Sequence, residues 1–173
     1  SDLAGSKVGE LAGKNIKKTV LELGGSDPFI VLDDANLKLA AEAAVRSRMR
    51  NAGQSCIAAK RLIVLEPVVS RFVALVTDQI RLLKVGNPME EDTNMGPLAR
   101  EDLAEKVAKQ VKESMRLGAE AVIGGNRPAD KKGAFFNPTL LVNVKEGMPV
   151  FEEEVFGPVA SVIVAKDVSH AIR

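Results

Sequence analysis

The chain has no tryptophan, no tyrosine and a single cysteine, and six phenylalanines are its only large aromatic rings. So few rings leave little on which to stack nucleobases. Charge is balanced as well: 24 lysines and arginines against 23 aspartates and glutamates give a net charge of +1, which implies no polyanionic or strongly cationic partner. Nucleic acid is therefore not an expected partner. One cysteine excludes an internal disulfide and a cysteine-rich zinc site, so no metal is expected, and it fits a reducing, cytoplasmic setting. No apolar run approaches the roughly 20 residues of a membrane span, and the first residues carry no signal-peptide pattern. What is present is ordinary for a soluble globular protein: 46% hydrophobic and 27% charged residues in a length that suffices for one domain with a real core.

The order of elements reads cleanly. Ser1 and Asp2 cap a helix to about residue 16, whose basic end at residues 14–18 suits the negative pole of the helix dipole. Residues 19–23, TVLEL, read as a short strand, and Gly24-Gly25 end it in a turn that needs unusual backbone angles or the close approach of another group. Residues 28–32, PFIVL, read as a buried strand. Asp33 to Asn36 then cap a helix over 37–51. A strand at 61–65 precedes a helix opened by Pro67 and running to about 84, with Phe72, Val73, Val76, Ile80 and Leu83 as its inward stripe. After a loop at 85–99 comes an amphipathic helix over 100–117, with Leu103, Val107 and Val111 at four-residue spacing. Strands follow at 120–123, within 134–144 around the Asn137-Pro138 break, and at 159–165. Strand and helix alternate, which predicts an α/β fold: a mostly parallel sheet covered by helices.

Residues 49–61, MRNAGQSCIAAKR, hold the only cysteine. A lone cysteine is more often a small buried hydrophobe than a reactive group. Cys56, however, follows a helix end and the polar bend Asn51, Gly53, Gln54 and Ser55, which favours exposed backbone N–H groups. Arg46, Arg48, Arg50, Lys60 and Arg61 lie close in sequence, and electropositive, partly open surroundings favour the thiolate, the nucleophilic form. Glu22 is a carboxylate between two leucines. It points either to solvent on an edge strand or into a cleft. Residues 151–158, FEEEVFGP, set three acids between apolar residues; a helix N-terminus, where negative charge is favourable, is one reading of them.

Taken together, LELGG at 21–25, GQSC at 53–56 and EEEVFGP at 152–158 resemble the aldehyde dehydrogenase superfamily in order and spacing, and so do residues 31–40, 85–98 and 135–141. The resemblance covers essentially the whole chain, and LELGGSDPFIVL with RNAGQSCIAAKR is most similar to the succinate-semialdehyde dehydrogenase-like group. Ser26-Asp27 departs from the Lys-Ser that many members carry. The resemblance implies Cys56 as the nucleophile that attacks an aldehyde and Glu22 as the base that activates water to hydrolyse the thioester. It implies that the Cys56 backbone N–H is half of an oxyanion hole, that Glu154 holds the nicotinamide ribose of NAD or NADP, that Phe156 lines the nicotinamide pocket, and that Gly25 sits beside it. Ser1 resembles part of a Gly-Ser-x-x-x-Gly pyrophosphate motif. Arg50 matches an arginine that grips a substrate's distal carboxylate, a task suited to a forked, permanently charged group; otherwise it is an exposed helix arginine.

The chain does not begin with methionine, and residues 169–173 read as a helix stopped in its second turn. We therefore expect a piece of a longer chain: residues 1–23 as the last helix and strand of a dinucleotide-binding domain, and residues 24–173 as a thiol-bearing catalytic domain. By itself it is expected to show little dehydrogenase turnover, while the whole enzyme forms a homo-oligomer, a dimer or tetramer. Two other function classes remain: a relative that passes the acyl group to CoA or phosphate, against which Glu22 argues, and a non-catalytic fragment that retains only the fold.

Overall fold

The computed structural model describes residues 1–173. Helix α1 (Asp2–Lys14) is capped by the Ser1 hydroxyl, which accepts from the Ala4 N–H at 3.5 Å. Strand β1 (Asp27–Val31), helix α2 (Leu37–Met49), strand β2 (Ala59–Leu65) and helix α3 (Val69–Arg81) follow. Then come α4 (Glu101–Arg116), β3 (Glu120–Ile123), β4 (Thr139–Val142), the single turn α5 (Pro149–Glu152), β5 (Val159–Ala165) and α6 (Val168–Ile172). The five strands form one sheet in the order β1-β2-β5-β4-β3, parallel throughout except for the antiparallel edge pair β3–β4. This is the mostly parallel, helix-covered sheet that the alternation of elements predicts.

Strand periodicity divides the core between the two faces. On β5, Ala160 and Val162 face one cluster and Val159 and Ile163 the other; on β4, Leu140 and Leu141 divide in the same way. Ala41, Ala44 and Val45 of α2 and Phe72, Val76 and Ile80 of α3 cover the first face. Ala104, Val107 and Val111 of α4 cover the second, with Val150 and Val155.

Four local expectations are corrected. Residues 19–23 form no strand: no neighbouring strand offers a backbone ladder, and Val20 is almost fully exposed. The segment is instead held by Leu23 and Leu21, which lean on Gly5 and Gly9 of α1, where the missing side chains leave room for them. β1 is an edge strand with mostly exposed residues, and only Val31 is buried. α2 stops at Met49, because Asn51 and Ala52 adopt left-handed backbone angles (φ 54° and 52°) that cannot continue a right-handed helix. Finally, α5 begins at Pro149 and ends at Glu152, so the three acids lie at and beyond its C-terminal end. The helix dipole does not explain them.

Phe72 is fully buried in the larger cluster. Truncating such a ring in a core removes its burial and leaves a cavity, so Phe72→Ala is expected to lower unfolding free energy by about 3–5 kcal/mol, read from urea denaturation.

Candidate active site

The site is assembled by sheet topology. β1, β2 and β5 are adjacent and parallel, with Asp27 level with Ala59 and Arg61 level with Ser161. The segments that lead into these strands, residues 22–26, 54–58 and 153–158, are therefore brought together at the amino ends of neighbouring strands. Open α/β sheets more often carry ligands at the opposite, carboxyl ends. Here the amino ends carry a cavity of about 900 Å³.

Cys56 and Glu22 both line that cavity, together with Glu154, Phe156, Gly25 and Ser1. Cys56 is a free, exposed thiol. Glu22 reaches the cavity because Leu21 and Leu23 on either side turn toward α1, and in an extended segment the middle side chain points the other way. Of the two orientations open from sequence, the carboxylate takes the cleft while keeping contact with water. Arg50 is exposed on the bend and is not among the residues that line the cavity.

The bend before Cys56 is unusual. Asn51, Ala52 and Gly53 are successive left-handed residues, and the two that carry side chains cost about 1–2 kcal/mol each. Three contacts hold them. Asn51 Nδ2 donates to the Gln54 carbonyl and Gln54 Nε2 donates to the Asn51 carbonyl, each at 3.0 Å. Gln54 Oε1 also accepts from the Ala99 N–H at 2.9 Å, which fastens the bend to the 85–99 loop. Gly53 lies against the peptide of Gly157 and Pro158, so closely that a Cβ there would overlap the Gly157 carbonyl.

Arg48 holds the two halves of the site together. It is completely buried. Its Nε donates to the Val159 carbonyl at 2.6 Å, its Nη1 to Gly53 at 3.3 Å, and its Nη2 to Val155 at 2.6 Å and to Gly157. Burial pushes the guanidinium down to about 10, while the Glu154 charge pulls it back up; at neutral pH it remains charged. The sequence suggests a cation near the thiol, but Arg48 directs its donors onto backbone carbonyls.

The three acids at and beyond the end of α5 go to three different partners. Glu152 accepts from the Gly147 N–H at 2.7 Å, Glu153 accepts from Gln110 Nε2 at 2.7 Å, and Glu154 pairs with the buried Lys60 at 3.4 Å. The Glu154 carboxylate lies where a Gly24 side chain would be, so the double glycine does admit the close approach of another group. One of its oxygens, Oε1, is buried with no hydrogen bond. Gln110 and Ser114 of α4 support this segment from below, Ser114 Oγ accepting from the Val150 N–H at 3.1 Å. Sequence reasoning missed both, as it missed Lys106 of α4, the one lysine lining the cavity. A signal was present, because Gln110 and Ser114 are polar residues at core positions of the stripe that carries Val107 and Val111. No group of three or more histidines, cysteines or acids is arranged to hold a metal ion.

The profile of the aldehyde dehydrogenase family matches residues 1–173. The chain is 47% identical over 170 residues to succinate semialdehyde dehydrogenase (NAD(P)+) Sad of Escherichia coli (strain K12), which covers 98% of the chain and 37% of that protein. It is also 47% identical to succinate-semialdehyde dehydrogenase (NADP(+)) of Mycobacterium avium (strain 104), over all of the chain and 36% of that protein. The crystal structure of succinate-semialdehyde dehydrogenase from Burkholderia pseudomallei superposes with a TM-score of 0.93 at 38% identity, covering 96% of this chain and 34% of that one. The chain thus spans little more than a third of the length of these relatives.

Arg48→Met removes the Arg48 donors from four carbonyls, of which Gly157 keeps the Val159 N–H, and uncompensated buried polar groups are expensive. The expected loss is about 3–5 kcal/mol of unfolding free energy. Arg48→Lys keeps the charge without the planar fork and should recover only part of it; urea midpoints of the two variants test this.

Proposed function

The chain belongs to the aldehyde dehydrogenase family, and from that premise we propose that it is the thiol-bearing part of an enzyme that oxidises a short aldehyde, of the succinate semialdehyde kind, to a carboxylic acid with NAD+ or NADP+. Residues 24–173 are the catalytic domain in this reading, and residues 1–23 contribute the last helix and extended segment of a dinucleotide-binding domain. The observation that carries the proposal is the single cavity shared by Cys56 and Glu22, residues far apart in sequence.

The Cys56 sulfur attacks the aldehyde carbon and the carbonyl oxygen gathers negative charge. No acceptor in the chain takes the Cys56 N–H, which leaves it free to donate to that oxygen, and an already oriented donor costs no reorganisation as the charge develops. A nicotinamide dinucleotide held by Glu154 and Phe156 would supply the hydride acceptor needed to oxidise the Cys56 thiohemiacetal to the thioester. Glu22 then takes a proton from water, the hydroxide equivalent attacks the thioester carbon, and the C–S bond breaks to return the Cys56 thiolate and release the acid.

The residues present fit such a cofactor. Glu154, with Oε1 turned to Lys60, has Oε2 beside Gly24 on the cavity wall to accept from a sugar hydroxyl, Phe156 presents a half-exposed ring to the same cavity, and Gly25 keeps its wall free of a side chain. Ser1, at the N-terminus of α1 on the rim, suits an anionic group. Arg50 stands on the exposed bend outside the cavity lining, and its assignment to a distal carboxylate of the substrate rests on the family resemblance of the RNAGQSC stretch. No helix is long and apolar enough to cross a membrane, and with its one free thiol we place the enzyme in the cytoplasm. The exposed apolar side chains of Leu3, Val8, Leu11 and Ile16 suit a chain covered by further protein, and we take the assembled enzyme to be a homo-oligomer.

An activated ester delivers its acyl group to a thiol without any oxidant, so p-nitrophenyl acetate tests the Cys56 and Glu22 roles on this chain directly. A stoichiometric burst of p-nitrophenol followed by turnover is expected. Cys56→Ala should abolish both, whereas Glu22→Gln should keep the burst and slow turnover by about 100-fold or more. No burst, or turnover unaffected by Glu22→Gln, overturns the proposal. In the full-length enzyme, Arg50→Gln should raise KM for succinate semialdehyde by roughly 10- to 100-fold, the worth of a charged hydrogen bond, and leave KM for an uncharged aldehyde of equal length within twofold.

A further inference from the structure

Lys60 is the buried ionisable group that the reaction above does not use. Its side chain is 3% exposed. An ammonium has three N–H donors, yet Nζ has four oxygens around it: the carbonyls of Ser55 at 3.1 Å, Cys56 at 2.7 Å and Ala58 at 3.4 Å, and Glu154 Oε1 at 3.4 Å. The shortest of these contacts is to the carbonyl of the nucleophile's own residue. The oxygen left without a hydrogen bond is that of Glu154.

We propose that Lys60 is a positioning residue for both halves of the site: its ammonium fixes the thiol loop through three carbonyls and draws Glu154 Oε1 inward, which leaves Oε2, beside Gly24 on the cavity wall, to accept from a ligand hydroxyl. The proposal rests on the reading of Cys56 and Glu154 as working groups, and it assigns Lys60 no contact with the substrate. The physical reason is one of numbers. Three protons face four oxygens: the two shortest contacts and a third at 3.4 Å go to loop carbonyls, while Glu154 Oε1, also at 3.4 Å, is met as an ion pair without a hydrogen bond. Glu154 thereby keeps both its negative charge and an open acceptor. Removing Lys60 should have two separable effects, a loosened cysteine loop and a partly buried carboxylate without its nearest cation.

The charges that face Glu154 are Lys60 and, deeper, Arg48, with Asp2, Glu22, Glu152, Glu153, Lys106, the Cys56 thiol and Ser1 lining the same cavity. Loss of Lys60 leaves Glu154 part-buried among acids without its nearest cation, so the folded variant would hold a proton on that carboxyl more tightly than its unfolded chain does, and the cost should grow as pH rises.

The experiment compares Lys60→Met, Glu154→Gln and the double variant on this chain. Two readouts serve: the rate of Cys56 alkylation by iodoacetamide, which is unambiguous because no other thiol exists, and the thermal midpoint at pH 5 and pH 8. We expect Lys60→Met to slow alkylation at least fivefold and to lower the midpoint by at least 3 °C more at pH 8 than at pH 5. The double variant should lose that pH dependence and keep the slowed alkylation. Equal midpoint losses at both pH values, or alkylation within twofold of the parent, overturn the proposal. If Lys60→Met does not fold at pH 8, the double variant decides: folded with slowed alkylation it supports the assignment, and unfolded it reduces Lys60 to chain packing and overturns it. Ester hydrolysis by the parent chain does not depend on this outcome, so the two readings fail separately.

Discussion

A single buried guanidinium determines whether this site exists. Arg48 comes from the last turn of α2, yet its donors reach the carbonyls of Gly53 on one side and of Val155, Gly157 and Val159 on the other. It thereby joins the bend that presents Cys56 to the segment that presents Glu154 and Phe156. No other common side chain offers five donors in a plane, which is what four carbonyls from two segments require. Burying the charge is costly, as its lowered proton affinity shows, and the carbonyl dipoles together with Glu154 offset that cost.

Around this junction the backbone itself is packed tightly. Gly53 meets the Gly157–Pro158 peptide, Gly24 admits the Glu154 carboxylate, and Gly157 lies on Val107 of α4. At Gly53 glycine is required by the facing backbone and by left-handed geometry, whereas at Gly24 and Gly157 an added Cβ would displace a side chain. The strain of Asn51 and Ala52 is sustained by the same network, through Gln54 and the 85–99 loop. Strained backbone persists only where surrounding contacts over-determine it, and it gathers at functional sites. Here it lifts the thiol out of the helix that precedes it and into an open cavity.

The chemistry follows from how the polar groups are distributed. Acids dominate the cavity wall, while the buried cations, Arg48 and Lys60, stand beneath it and are engaged with carbonyls. Glu22 stays in contact with water, as the base role proposed for it requires. Glu154 is drawn toward Lys60 through Oε1 and holds Oε2 in reserve. Two carboxylates of one cavity thus receive different surroundings, one from an extended segment resting on α1 and the other from the floor of the sheet. Different surroundings suit different tasks, water activation and ligand binding.

Much was legible in the residues alone. Alternation of apolar runs with capped amphipathic stretches determined the α/β class, because side-chain period and capping chemistry are local properties, and the polar bend before Cys56 marked an exposed thiol for the same reason. What local pattern could not reveal was anything that depends on a neighbour in space. TVLEL has strand composition but finds no strand to pair with, so it became an extended strap on α1. The three acids resembled a helix N-terminus until their partners proved to be Gly147, Gln110 and Lys60. Arg48 read as one more cation near the thiol, though three of its four partners lie more than a hundred residues onward. The sequence by itself determined which groups could do chemistry, since nucleophilicity and basicity belong to side chains. Only the tertiary structure decided that they share a cavity, because that depends on β1, β2 and β5 lying side by side and parallel, an order no local stretch encodes.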